Sequence, residues 1–396
     1  MPSAPASPST ARAMNDRLAL RLLQDEGPLT ASQLKGLTGL SRPTVADLVE
    51  RLTSAGLVQV VGETGAERRG PNARVYGLVA DRAHLAALDV RLRGVSVTVT
   101  DLLGTPLADA ALPIGGDTGT GPAVQRAAAL LERTVRRAGA TRLHTVGIGA
   151  PGLIDPATGA LRDSAGLPAW HRQLVSALQE RLPATVLVEN ETNLAAVAEQ
   201  REGAAGDRDT FVLLWLGHGV GAAVVLDGRL RRGASGGAGE IGFLPVPGTG
   251  GLPSATDCAG GFHALAGSAA VRELAGRYGI VTDGRDGDAE PAGAVAVRVA
   301  RETGADAFLD ALAERVALGA AAVAAVLDPG RVVLGGELGH AGGDDLAARV
   351  ETRLAALSPL RTDVRASTLG GAAVLRGALL TARDAAQDDL FAAPRR

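Results

Sequence analysis

The chain has 396 residues, 40 Lys and Arg against 43 Asp and Glu, and a formal net charge of −3. That length suits a small domain joined to a larger one or two, and the ordinary apolar fraction fits a soluble globular protein. The single cysteine, Cys258, excludes a disulfide framework and any multi-cysteine zinc site within one chain.

The first ten residues, Met1 to Thr10, are rich in Pro, Ser and Ala and lack a basic-then-apolar signal pattern. Residues 1–11 are expected to be a disordered lead-in. The longest apolar run, near Val316–Leu327, is too short to span a bilayer, so a cytoplasmic protein with no membrane partner is expected.

Residues 12–80 read as a DNA-binding head, mildly positive where the rest of the chain is acidic. Met14, Leu18, Leu22 and Leu23 share one helical face, the expected buried one, of a helix ending at Gly27-Pro28. Thr30-Ala-Ser-Gln33 is a capping-box start for a short helix carrying Leu34 and Leu37. After a turn at Thr38-Gly39-Leu40, Ser41 caps a longer helix with Pro43 in its first turn. Val45, Leu48, Val49 and Leu52 form that helix's buried stripe, and Gly56 ends it. Ser41, Arg42, Pro43 and Thr44 stand at the N-terminal end, where a recognition helix meets base edges and phosphates, and Arg51 also lies off the stripe. Two β-like runs follow, Leu57–Val61 and Ala73–Val79, around a loop holding Arg68 and Arg69. A hairpin tipped with arginines predicts a wing that enters a minor groove or touches phosphates.

From residue 82 the chain alternates strands and helices. Leu85–Asp89, Ser96–Asp101 and His144–Gly149 are predicted strands, Gly121–Gly139 a helix, Val186–Glu189 a strand and Glu191–Gln200 a helix. Phe211–Leu216 and Ala222–Leu226 are further strands, and a helix over Phe308–Leu327 feeds strand Arg331–Leu334 and the turn Gly335-Gly336. An α/β body with glycine turns between strands and helices suits a small-molecule or nucleotide binder.

Four stretches carry a family resemblance: Val146–Asp155, Leu167–Trp170, Val188–Asn193 and Gly233–Gly242. With the Ser-Arg-Pro-Thr-Val helix and the Arg-Arg-Gly-Pro wing, they resemble the ROK family of bacterial sugar kinases and repressors, over residues 12 to 383. The resemblance implies an α/β fold: a winged helix-turn-helix followed by an actin-like, RNase H-like pair of lobes with a ligand cleft between them. It places the small lobe at about 82–198 plus 369–383, the large lobe at about 199–368, and a flexible tail at 384–396.

The family's chemistry can be followed onto this chain residue by residue. Its first phosphate loop follows an aspartate with glycines and a threonine. Here Asp89 is followed by Val90-Arg-Leu-Arg-Gly94, so bulky side chains replace the small residues that close backbone approach requires. Gly217-His218-Gly219 keeps the second turn's glycines but puts a histidine where a hydroxyl is expected. The catalytic base position holds Glu191 instead of aspartate. The extra methylene moves the carboxylate by about 1.5 Å, which costs on the order of a hundredfold in a positioned reaction. The family's zinc histidine falls on Phe243 and its cysteines on Ser254, Thr256 and Gly261, so no metal and no cofactor are expected. Asn190, Glu191, Glu240, Phe243 and His263 remain as the candidate ligand set. These features predict a transcription regulator, a repressor that binds operator DNA as a homodimer or higher homo-oligomer and responds to a sugar or sugar-phosphate effector. A ROK sugar kinase phosphorylating glucose or an N-acetylhexosamine is the alternative, and a DNA-binding protein regulated only by protein partners is a third.

Overall fold

Residues 8–64, 73–162, 167–254, 256–282 and 290–392 are described by the computed structural model. The head consists of α1 (Pro8–Asp25), β1 (Leu29–Thr30), α2 (Ala31–Thr38), α3 (Arg42–Ser54), β2 (Val58–Thr64) and β3 (Ala73–Leu78). Both anticipated caps form. Thr30 N–H donates to Gln33 Oε1 at 2.9 Å while Thr30 Oγ1 accepts from Gln33 N–H at 3.3 Å. Ser41 Oγ accepts from Thr44 N–H at 3.4 Å, and Val45, Leu48, Val49 and Leu52 of α3 are buried. The wing hairpin gains a third strand that sequence reading missed: β1 pairs with β3 at Leu29↔Tyr76, giving the antiparallel order β1-β3-β2.

Two expectations for the head's start need correction. Residues 8–11 belong to α1 and not to a disordered lead-in. On α1 the buried residues are Ala19, Leu20 and Leu23, while Met14 and Leu18 stay 64% and 43% exposed. The helix carries apolar residues over more than one face, and only contact with α2 and α3 decides which one turns inward.

The body opens with β4 (His84–Arg91), β5 (Gly94–Asp101), β6 (Pro106–Pro113), α4 (Thr120–Arg137), β7 (Thr145–Ala150), α5 (Ala169–Arg181), β8 (Thr185–Asn190) and α6 (Glu191–Glu202). Their sheet runs β6-β5-β4-β7-β8, antiparallel among β6, β5 and β4 and parallel from β4 through β8. The second lobe follows with β9 (Phe211–Leu216), β10 (Val220–Leu226), β11 (Arg229–Arg231), α7 (His263–Ala266), α8 (Ser268–Arg277), α9 (Ala292–Thr303), α10 (Asp306–Leu327), β12 (Arg331–Gly335), α11 (Gly336–Leu357) and β13 (Asp363–Ala366). Its sheet runs β11-β10-β9-β12-β13 with the same sequence of antiparallel and parallel pairings. This duplicated order is the actin-like, RNase H-like pair of lobes. The inner strands are covered on both faces, which is why Phe211–Leu216 and Val332–Leu334 read as unbroken apolar runs without alternation.

The last helix, α12 (Ala373–Leu390), returns to the first lobe and packs on β4, β7 and α6. Gly377 makes this possible, because a Cβ there would sit 1.9 Å from the Leu194 carbonyl oxygen. The expected flexible tail is therefore corrected over residues 384–391. Helix α12 runs to Leu390, Ala386 and Gln387 are buried, and Phe391 joins the apolar core of the head. Asp384 and Asp388, which make the segment look solvated in sequence, are spent on Arg201 and Arg17.

Candidate DNA-reading helix and ligand cleft

At the N-terminal end of α3, Ser41, Arg42 and Pro43 are exposed and Thr44 is half-buried. Ser41 Oγ also lies 2.8 Å from Thr44 Oγ1, so the cap and the first turn are locked together. Arg42 projects from this rigid end with no ion-pair partner among the described residues. Arg51 does something else. Its guanidinium donates to Asp16 Oδ1 at 2.5 Å and also to Asp47, and the hydrogen bond to Asp16 raises its pKa. It ties α3 to α1 and drops out of the candidate DNA surface. Arg68 and Arg69 lie outside the described residues. Arg74 was not singled out from sequence. It stands exposed on β3 across from Glu63, near the wing's tip.

Between the lobes lies a cavity of about 1140 Å³, and Asn190, Glu191, Glu240, Phe243 and His263 all line it. Asn190 caps α6, with Oδ1 accepting from the Thr192 and Asn193 N–H groups at 2.8 and 3.3 Å and Nδ2 donating to the Gly152 carbonyl at 2.9 Å. The cap presents the next residue, Glu191, to the cleft. Burial, then the nearby Asp89 and Glu337 carboxylates, push Glu191 up to about 8, so it is largely a neutral acid at pH 7. Glu240 is raised by desolvation, and His263 is lowered by the same cause against the pull of Asp257. Gly239 positions Glu240: its φ is +92°, and a Cβ there would meet the Ala222 carbonyl oxygen at 1.9 Å. Phe243 is 39% exposed and gives this end of the cavity an apolar corner.

The other end of the cavity is where the family's phosphate loops would lie. The expected loop after Asp89 is instead strand β4 continuing to Arg91, closed onto Gly94 by a tight hairpin. Arg91 Nε donates to Asp89 Oδ2 at 2.7 Å and Nη2 to the Gly371 carbonyl at 2.8 Å, with Nη1 3.9 Å from Glu337 Oε1. Its side chain thus crosses from the first lobe to the elements of the second. His171, buried and pushed down to about 4 by desolvation, lies with Nε2 3.1 Å from the Arg91 carbonyl. The neutral ring donates there and fixes the backbone beneath the guanidinium. Neither His171 nor Glu337 was expected from sequence, because each gains its role only from β4 across the fold.

The residues do not fit a nucleotide's phosphates. Arg91 is already committed to Asp89 and Gly371. Glu337 crowds the second glycine turn so closely that a Cβ on Gly217 would come within 2.5 Å of its carboxylate. The residues at the family's zinc position do not fit a metal either. Among the described residues, no group of three or more His, Cys, Asp or Glu is placed to hold one. That loop is held by local hydrogen bonds, with Ser254 N–H donating to the Asp257 carbonyl at 2.8 Å and the Asp257 side-chain Oδ1 accepting from Ala259 N–H at 2.8 Å. No described helix is long and apolar enough to cross a membrane.

Comparison with known proteins agrees with this architecture. The profile of the winged helix-turn-helix DNA-binding family matches residues 15–59, and that of the ROK family matches residues 93–385. A xylose repressor of Caldicellulosiruptor bescii is 26% identical over 237 residues, covering 59% of each chain. The chain thus spans about three fifths of the length of the curated relatives it matches. Among solved structures, a ROK family transcriptional regulator homologous to the E. coli MLC protein superposes with a TM-score of 0.75 at 21% identity, over 96% of this chain and 98% of that one, a likeness of fold. A ROK family glucokinase from Streptomyces griseus, in complex with glucose and AMPPNP, superposes with a TM-score of 0.63 at 26% identity over 76% of this chain and 99% of that one. The match over residues 93–385 covers most of the sequence, and the chain belongs to the ROK family.

Proposed function

We propose that this chain is a DNA-binding transcriptional regulator acting as a repressor, with no kinase activity, and that its interlobe cleft takes a sugar-derived effector. The observation that carries the reading is the pairing of an intact, doubly capped helix-turn-helix with a phosphate site filled by Arg91. The relatives point the same way, since the xylose repressor is named for regulation, whereas the glucokinase carries a nucleotide analogue that this cleft does not fit. Two heads on a homodimer would read two half-sites at a spacing fixed by the bodies. Ligand in the cleft acts on the heads through α12. Gly371 and Val374 line the cavity at its start, and Phe391 is buried in the head at its end. A change in lobe closure then moves the head, and effector and DNA weaken each other's binding by the same factor.

The test is selection of bound fragments from random DNA by the full chain, followed by footprinting of the winners. Recovery of a two-fold symmetric site supports the reading. ATP-dependent phosphorylation of glucose or an N-acetylhexosamine, with no DNA site recovered, replaces it with the sugar-kinase reading.

A further inference from the structure

Four features of the cavity bear on what occupies it. Its volume of about 1140 Å³ exceeds the roughly 300–1,000 Å³ usual for small-molecule sites, and one pyranose ring fills only a fraction of it. The candidate sugar-facing set, Asn190 to His263, occupies one end, and the other end holds Asp89, Trp215 and Glu337. At that second end Asp89 and Glu337 offer acceptors, Arg91 is already bonded to Asp89 and Gly371, and the exposed Arg93 also lines the cavity. Finally, Asp89 is 1% exposed, yet its Oδ1 has no hydrogen-bond partner. A buried acceptor left unmade costs free energy, and one lining a cavity is matched by a ligand that brings a donor.

The geometry points to a ligand of at least two sugar units. One ring lies on Asn190, Glu191, Glu240 and His263, and the hydroxyls of its neighbour donate to Asp89 Oδ1 and Glu337. Trp215, 8% exposed and lining this end, supplies an aromatic wall against which a second ring packs. The nucleotide half of a kinase cleft has become a second sugar subsite. Glu191 lines the same cavity and, kept protonated chiefly by its burial, offers the first ring a donor. This inference rests on the cleft being the effector site.

Isothermal titration of the full chain tests it with paired ligands: glucose and cellobiose, xylose and xylobiose, N-acetylglucosamine and chitobiose, each monosaccharide's phosphate ester, and AMPPNP. The expected result is one disaccharide binding at least about tenfold more tightly than its monosaccharide, as one or two added hydrogen bonds to carboxylates give. Asp89→Asn and Glu337→Gln should each remove most of that gain while leaving the monosaccharide within twofold. Glu337→Gln keeps the Asp89–Arg91 pair intact, so its result stands even if Asp89→Asn misfolds. A monosaccharide binding as well as its disaccharide overturns the second subsite while leaving the effector reading in place. Tighter binding of a phosphate ester or of AMPPNP overturns it as well. No sugar binding by a chain that still binds its DNA site overturns the effector reading itself, and this inference with it.

Discussion

Arg17 on the first helix and Asp388 on the last form an ion pair across 371 residues of sequence. Arg21 reaches the same carboxylate at 3.3 Å, and Gln387 donates to Gln24 at 2.8 Å beside it. Beneath these polar links Phe391, 6% exposed, shares a core with Leu20, Leu34 and Leu48. The head is therefore completed by the C-terminus of the body, and what happens along α12 reaches the helices that carry the candidate DNA surface.

Phe391→Ala should loosen the head more than the body. Truncating a buried Phe costs about 3–5 kcal/mol in a well-packed core, and the helix-end position puts this one near the lower figure. Hydrogen exchange should show α1–α3 losing protection while β9 and β12 keep theirs. Asp388→Asn should do far less, because exposed ion pairs contribute only about 0–1 kcal/mol.

Arg42→Ala and Arg51→Ala should separate reading from support. Arg42→Ala should weaken DNA binding by about 1–3 kcal/mol with an unchanged melting temperature. Arg51→Ala should lower the head's stability, since Asp16 loses its bonded partner at 2.5 Å, and any loss of DNA affinity should follow that destabilisation. Equal melting temperatures for the two variants would contradict the roles assigned to them.

The cleft's acids set a pH dependence of stability. Glu191 is raised in the folded state to about 8, so the folded chain holds a proton that the unfolded chain releases near the ordinary carboxylate pKa. Its contribution is present at low pH and is lost as pH rises through about 8. His171, lowered to about 4, acts oppositely, but only below its unfolded value near 6.5. Between pH 6.5 and 8.5 the melting temperature should fall, and Glu191→Gln should flatten that slope.

Arg91→Met should destabilise the body. It leaves Asp89 buried without its counter-charge, a loss of about 3–5 kcal/mol for a fully buried pair and less here because Arg91 is 37% exposed. Arg91→Met combined with Asp89→Asn should recover part of the loss, and a double-mutant cycle of denaturation midpoints measures it. Neither variant should gain ATP hydrolysis, since Glu337 still occupies the second glycine turn.

What was legible in the sequence was local or carried by compact motifs. Ser41, Pro43 and the stripe from Val45 to Leu52 announce α3 because cap, first turn and buried face all lie within thirteen residues. Asn190 could be placed for the same reason, its capping bonds reaching only to Thr192 and Asn193. Arg91's bulk showed that the phosphate loop had changed, but not that its guanidinium would reach Gly371, 280 residues on, or come within 3.9 Å of Glu337 on the other lobe. The strand Leu29–Thr30 was too short to carry a pattern, and Met14 and Leu18 misled because helix periodicity does not say which apolar face finds a partner. Arg51 looked free for DNA until α1 brought Asp16 beside it. Residues 384–391 look like a tail because their acids dominate the composition, whereas their fate is decided by arginines that precede them by nearly two hundred residues or more.

On the proposed function, α3 reads DNA on behalf of a cleft that no longer performs chemistry. The most direct measurement is quantitative footprinting of the full chain on its selected site, for wild type and Arg42→Ala, with and without the tightest-binding sugar. The expected result is two protected half-sites separated by an integral number of helical turns, protection lost in Arg42→Ala, and weaker protection when sugar is added. Protection that persists unchanged in Arg42→Ala, or its absence from every selected sequence in a chain that phosphorylates sugar, would contradict it.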